Sequence, residues 1–224
     1  MKKNQSPDSR QGTSGSGSRT SFLDSQNIVI IKYNAGNIRS VDNALQRLGY
    51  EAEITADPEK IIKADKVIFP GVGEASSTMS YLRETGLDNV VRGLKQPVLG
   101  ICLGMQLMCS FSEEGNVDCL EIFDEKVRKF QLPEPNLRNI KIPHMGWNKI
   151  YDLKSDLFDS SLEGEFVYFV HSFYVAQGPD AAATTDYILP YSSALQKDNF
   201  FATQFHPEKS GPVGERILSN FLKL

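Results

Sequence analysis

Zinc-type cysteine pairs, membrane-length apolar runs and surplus positive charge are all missing from this chain of 224 residues. Its three cysteines, Cys102, Cys109 and Cys119, form no CxxC pair, and an odd number suits no closed disulfide framework. A reducing, cytoplasmic compartment is therefore expected. No apolar run reaches the roughly 20 residues that span a bilayer, so no membrane association is expected. Lys and Arg number 24 against 28 Asp and Glu, and the formal charge of −4 argues against nucleic-acid binding. Neither a GxxxxGKS/T nor a GxGxxG loop occurs, which removes the usual phosphate cradles. No cofactor and no metal site is expected. The hydrophobic fraction of 40% is ordinary for a globular protein.

Residues 1–26, "MKKNQSPDSRQGTSGSGSRTSFLDSQ", are rich in Ser, Gly and charge and poor in large apolar groups. Such a segment buries too little surface to offset its ordering entropy. Lys2 and Lys3 resemble a signal-peptide start, but no apolar stretch follows. The segment reads as a disordered tail or a cloning remnant. Residues 27–224 then suit a single domain.

Ile28–Ile31 is a continuous apolar run, as expected of a strand covered on both faces. Ile38, Val41, Leu45 and Leu48 follow at helical spacing, and Gly49 stops that helix. "EAEIT" and "KVIFP" read as strands, residues 75–94 as an amphipathic helical stretch, "PVLGIC" as a buried strand and "LGMQLMCSF" as a helix start. Alternation of this kind implies α/β: a mostly parallel open sheet with helices on both faces. The second half adds candidate strands, "KVRKF", "WNKIYDL", "FVYFVHSF", "SALQK" and "NFFATQF", before a last helix with Val213, Ile217, Leu218 and Phe221 on one face.

In "PVLGICLGMQLM" one cysteine, Cys102, stands between Gly100 and Gly104 at a strand-to-helix junction. That is the sequence form of a nucleophile elbow, which lifts a side chain above the sheet edge. A helix N-terminus there favours thiolate, and the Leu103 amide points toward an oxyanion. Alone, the run fits a buried structural cysteine equally well. A thiolate needs a base, and only His144, His171 and His206 are available. His206 follows an apolar strand that Pro207 ends, and Glu208 stands two residues on. In extended geometry Glu208 points the same way as His206, giving a Cys, His, Glu order; a polar strand end is the plainer reading. "PGVG", with Gly71, Val72 and Gly73, follows a buried strand and opens at the same sheet edge. It is either a second oxyanion donor or a plain turn.

These residues resemble the triad class I glutamine amidotransferases over nearly all of 27–224. "PVLGICLGMQLM" and "TQFHPEKSG" are similar to that family's nucleophile and His-Glu motifs. "YNAGNIRSVDNALQRLG", "PGVG", "IPHMGWN" and "YFVHSFY" resemble the glutaminase subunits of imidazole glycerol phosphate synthases. The resemblance implies Cys102 as nucleophile, His206 as general base and acid, and Glu208 as its orienter. It implies that Gln106, Glu114, His171, Ser172 and Phe173 hold glutamine, with Gly71, Val72, Gly73 and Leu103 around the reacting carbonyl. Phe173 stands where the family more usually has tyrosine, and "NVDCLEIFDEKV" replaces a glycine-rich segment. Cys109 and Cys119 match no functional position and read as structural. The implied products are glutamate and ammonia. With no phosphate loop on this chain, the acceptor belongs on a partner, which the resemblance names as the cyclase subunit, a (β/α)₈ barrel. Another synthase, a stand-alone cysteine hydrolase and a silent binding subunit remain the alternatives. Activity without a partner separates the hydrolase, and an intact triad disfavours the silent subunit.

Overall fold

The computed structural model describes residues 1, 26–33, 37–132 and 140–224. Nearly all of the segment read as a tail, and the middle of "YNAGN", lie outside the described residues.

Five parallel strands form one half of an 11-stranded sheet. They are β1 (Ile28–Ile31), β2 (Ala52–Thr55), β3 (Lys66–Gly71), β4 (Val98–Cys102) and β13 (Phe200–Thr203), in spatial order 2-1-3-4-13. Beyond β13 the pairing turns antiparallel through β12 (Pro190–Lys197), β10 (Phe173–Val175) and β7 (Lys126–Lys129). The short β5 (Phe111–Ser112) and β6 (Val117–Asp118) close that edge, and β11 (Ala181–Asp186) pairs with β12. A separate antiparallel ribbon joins β8 (His144–Lys149) to β9 (Phe166–His171).

Alternation along the central strands fills two cores. Val29, Ile31, Val67 and Phe69 face α2 (Pro58–Lys63), α3 (Ala75–Thr85), α4 (Leu87–Gly93) and α5 (Leu103–Met108). Ile28, Ile30, Ile68 and Ile101 face α1 (Ile38–Arg47) and α6 (Gly211–Lys223). Both faces are covered, as the continuous apolar runs predict.

Several boundaries differ from expectation. The stretch 75–94 is two helices, because Gly86 adopts φ 73° and serves as C-cap of α3 and N-cap of α4. "WNKIYDL" does not run as one strand. β8 begins earlier, at His144, and stops at Lys149; Asp152 turns the chain at φ 54°, with the Glu163 carboxylate accepting the Asp152 and Leu153 amides. "FVYFVHSF" divides at Ser172 into β9 and β10. Pro207–Lys209 form a 3-10 turn rather than an extended segment, so Glu208 meets His206 across a turn.

Candidate active site

β4 ends on Cys102 and α5 begins on Leu103 with no intervening loop. The turn puts Cys102 at φ 54°, ψ −105°, a conformation that costs a non-glycine residue about 1–3 kcal/mol. The neighbouring glycines exist for close approach. A Cβ on Gly104 would land on the Phe69 carbonyl oxygen, and one on Gly100 would come within 2.9 Å of Met108 Sδ. Every residue of α5 is buried, so its last carbonyls need protein partners. The segment 120–123 supplies them. Leu120 N–H donates to Leu107 O at 2.8 Å, Glu121 to Cys109 O at 3.0 Å, and Ile122 and Phe123 to Met108 O at 2.9 Å. That is what the unusual "NVDCLEIFDEKV" stretch does here. Cys109 and Cys119 are buried free thiols, and burial raises the pKa of both.

β13 runs parallel to β4 with Thr203 opposite Ile101, which brings the following residues to the elbow. His206 is fixed from several sides. Its amide donates to Tyr168 O at 2.9 Å, and its carbonyl accepts Ser210 Oγ at 2.7 Å. Its Nδ1 meets Glu208 Oε1 at 2.8 Å, with both side chains buried. Asn37, the last residue of "YNAGN", donates its Nδ2 to the same oxygen. Burial opposes charge on His206, but the Cys102 sulfur and then the Glu208 carboxylate outweigh it and raise its pKa above the ordinary value. Cys102, His206 and Glu208 are thus brought together. The Sγ atom also lies 3.8 Å from the Val170 carbonyl oxygen and 3.7 Å from Gln204 Nε2.

A cavity of about 330 Å³ opens over the sulfur, within the range of small-molecule sites. Val72, Gly73 and Leu103 line it beside Cys102 and His206. Gln106, Glu114, His171, Ser172 and Phe173 also line it. Gly71 is not part of the cavity lining; it packs against α5, where a Cβ would strike Tyr33 Oη and Leu103 Cβ. The Glu114 carboxyl accepts the Ala75 amide at 3.1 Å, and burial raises its pKa against that bond. His171 lines the cavity with both ring nitrogens engaged inside the protein. Nδ1 pairs with the Phe173 carbonyl at 2.7 Å, while Nε2 meets His144 Nδ1 at 3.2 Å and Tyr191 Oη at 3.2 Å. Burial lowers the pKa of His171 to about 3 and of His144 to about 4, so both rings are neutral near pH 7. His171 therefore braces the Ser172–Phe173 corner through the ring, and the Phe173 carbonyl also accepts Gln106 Nε2 at 3.1 Å.

Sequence reasoning missed Asn37, Val170, Gln204 and Lys209. Gln204 and Lys209 stand inside "TQFHPEKSG", and adjacency to His206 was their only signal. Outside the cavity mouth, the outer face of the β8–β9 ribbon exposes Met145 (63%), Trp147 (54%) and Phe166 (49%), a contiguous apolar strip that begins beside Val170.

Among known proteins, the imidazole glycerol phosphate synthase subunit HisH of Bacteroides fragilis is 64% identical over 197 residues, covering 88% of this chain and 99% of that protein. The subunit of the same name from Escherichia coli K12 is 44% identical over 203 residues, covering 88% of this chain and all of that protein. Among solved structures, a glutamine amidotransferase superposes with a TM-score of 0.65 at 20% identity, covering 87% of this chain and 97% of that one. PurLQS from Thermotoga maritima gives 0.62 at 16% identity, covering 88% and 98%. At those identities the two structures speak for the fold alone. Residues 29–224 match the model of the class-I glutamine amidotransferases, and the chain belongs to that family.

Proposed function

We infer that this chain is the glutaminase subunit of an imidazole glycerol phosphate synthase and hydrolyses glutamine for histidine biosynthesis. The observation that carries the chemistry is Cys102 on a strained elbow, in one cavity with an imidazole already paired to a buried carboxylate. In this reading the Cys102 thiolate attacks the side-chain carbonyl carbon of glutamine. The oxyanion is met by the Leu103 amide and by an amide of the Gly71, Val72 and Gly73 loop. His206 gives its proton to the departing nitrogen, which leaves as ammonia with a thioester on Cys102. The same imidazole takes a proton from water as it attacks, and glutamate leaves with the thiolate restored. Glu208 holds the imidazole so that Nε2 faces the sulfur. The Glu114 carboxylate suits the α-ammonium of glutamine, and Gln106, Ser172 and Phe173 frame the remaining lining.

The partner is the cyclase subunit, and the ammonia passes to it directly. The exposed Met145, Trp147 and Phe166 strip supports a docking surface at the cavity mouth, since large exposed aromatics anchor interfaces. Free buried cysteines suit a cytoplasmic setting. The test is glutamate release from glutamine by this chain, alone and mixed with its cyclase. Glutamate formation that rises with the cyclase supports the reading. No glutamate under either condition, or full activity without the cyclase, rejects it.

A further inference from the structure

Gln204 is fully buried two residues before His206, and none of the roles above uses it. The hydrogen-bond network fixes which end of its amide faces the sulfur. The Phe173 carbonyl can only accept, and Gln106 reaches it at 3.1 Å, so Gln106 presents its NH₂ group there. The second hydrogen of that group goes to Gln204 at 2.9 Å, which makes the receiving atom Oε1 of Gln204. Its NH₂ group must then face Cys102, and Nε2 lies 3.7 Å from Sγ. Turning the amide over would set a donor against a donor at Gln106 and an oxygen against the sulfur. The Phe173 carbonyl that anchors this chain is held from its other side by His171 Nδ1.

We propose that Gln204 donates a hydrogen bond to the Cys102 sulfur and that Gln106 holds it in that orientation, so that this pair stabilises the nucleophile as thiolate. The neutral thiol has the Val170 carbonyl as an acceptor, whereas the thiolate has a donor waiting in Gln204. A donor aimed at the charged form favours that form. No proton leaves Gln204. It acts before the attack, and again when the second tetrahedral intermediate collapses and expels the thiolate. Gln106 then has two duties, a wall of the glutamine site and the orienter of Gln204.

This inference rests on Cys102 being the nucleophile of glutamine hydrolysis, but its test needs no glutamine. The rate of Cys102 alkylation by iodoacetamide is followed against pH on the full chain, with a Cys102→Ser chain to subtract labelling of Cys109 and Cys119. Gln204→Met keeps length and removes the donor. It is expected to raise the midpoint of the alkylation profile by about one pH unit, tenfold in thiolate at a fixed pH below both midpoints. Gln204→Glu, which turns an oxygen toward the sulfur, is expected to raise it further. Gln106→Met leaves Gln204 present but unoriented, and a smaller rise in the same direction is expected. An unchanged midpoint in folded Gln204 variants overturns the proposal, because a merely structural glutamine would lower stability without moving the profile. If the Gln204 variants do not fold, an unchanged midpoint in Gln106→Met overturns it instead. A wild-type chain that releases no glutamate either alone or with its cyclase would reject the functional reading and leave this test standing.

Discussion

Replacing Glu208 with glutamine separates orientation from charge in the His206 pair. Glu208 Oε1 accepts both His206 Nδ1, at 2.8 Å, and Asn37 Nδ2, while Oε2 has no partner among the described residues. A glutamine at 208 can therefore put its oxygen where Oε1 was and its NH₂ where Oε2 was. Asn37 enforces that choice, since its own NH₂ would otherwise meet another NH₂. The His206 tautomer survives, and only the charge is lost. Charged hydrogen bonds are roughly twice as strong as neutral ones, so the cost is about 1–2 kcal/mol, or roughly 5- to 30-fold in rate. His206→Asn, which removes base and acid together, should cost about 10²–10⁴ or more. Removing the enforcer as well, in Glu208→Gln with Asn37→Leu, lets the amide turn over and present a donor to Nδ1. The imidazole would then take the wrong tautomer, and the double variant should fall toward the His206→Asn level. The assay is steady-state glutamate release by the complex, with circular dichroism to confirm folding. A folded Glu208→Gln variant as inactive as His206→Asn, with Asn37 present, would refute the reasoning.

Cys102→Ala should abolish glutamine-dependent activity while the complex still turns over with ammonium salts; loss of both would make the cysteine structural. Gly104→Ala should cost about 1–3 kcal/mol or more in urea unfolding, since its Cβ meets the Phe69 carbonyl, whereas Gly93→Ala, with nothing within 4 Å, should gain up to about 1 kcal/mol. Equal midpoints for those two variants would contradict the close-approach account. An unfolded histidine titrates near 6.5 but buried His171 near 3, so between those values the unfolded chain binds more protons and stability is lost as the pH is lowered. From pH 7 to pH 5 His171 alone should account for about 2 kcal/mol, which a His171→Asn variant should lack. Deleting residues 1–25 should leave melting temperature and partnered activity unchanged, and a clear drop in either would mean that this segment packs on the fold.

The parts legible in the sequence are those where one physical signal dominates. Ile28–Ile31 and "PVLGIC" are apolar on both faces, and Gly100 and Gly104 mark a junction that tolerates no side chain. β11 gave no such signal. "AAATTD" is built of small residues, and its strand exists because Tyr191 and Leu195 of β12 supply pairing that only the tertiary fold provides. α2 did carry its start signal, Asp57 before Pro58, with the Asp57 carboxylate accepting the Glu59 amide, but six residues are too few for periodicity to show. Among site residues, Cys102 and His206 stand out by chemistry. Gln204 and Asn37 do not, because an amide's role depends on which neighbour settles its two ends, and those neighbours are 98 and 171 residues away.

The same long-range dependence explains why the cysteine and the histidine meet at all. Cys102 ends β4, and His206 follows β13, the last parallel strand, which the chain reaches only after building the antiparallel half. Their alignment is set by the β4–β13 register, Phe200 to Val98 through Thr203 to Ile101. A slip of one residue would move His206 by about 3.3 Å along the strand and reverse every side chain of β13. Both faces of β13 are buried, so simple polarity does not forbid the slip. Shape does. Phe201 enters the core under α6, with its ring 6.3 Å from that of Phe221, while Phe200 and Ala202 occupy the opposite core with Val98 and Met105. A slip one way would drive Phe201 into the space of Ala202, and a slip the other way would put Ala202 where Phe201 was and leave a void against Phe221, costing kilocalories by overpacking or by cavity formation. The distance between nucleophile and base is therefore held by apolar packing several residues away from either, and Ala202→Phe is a substitution that should break the site without touching it.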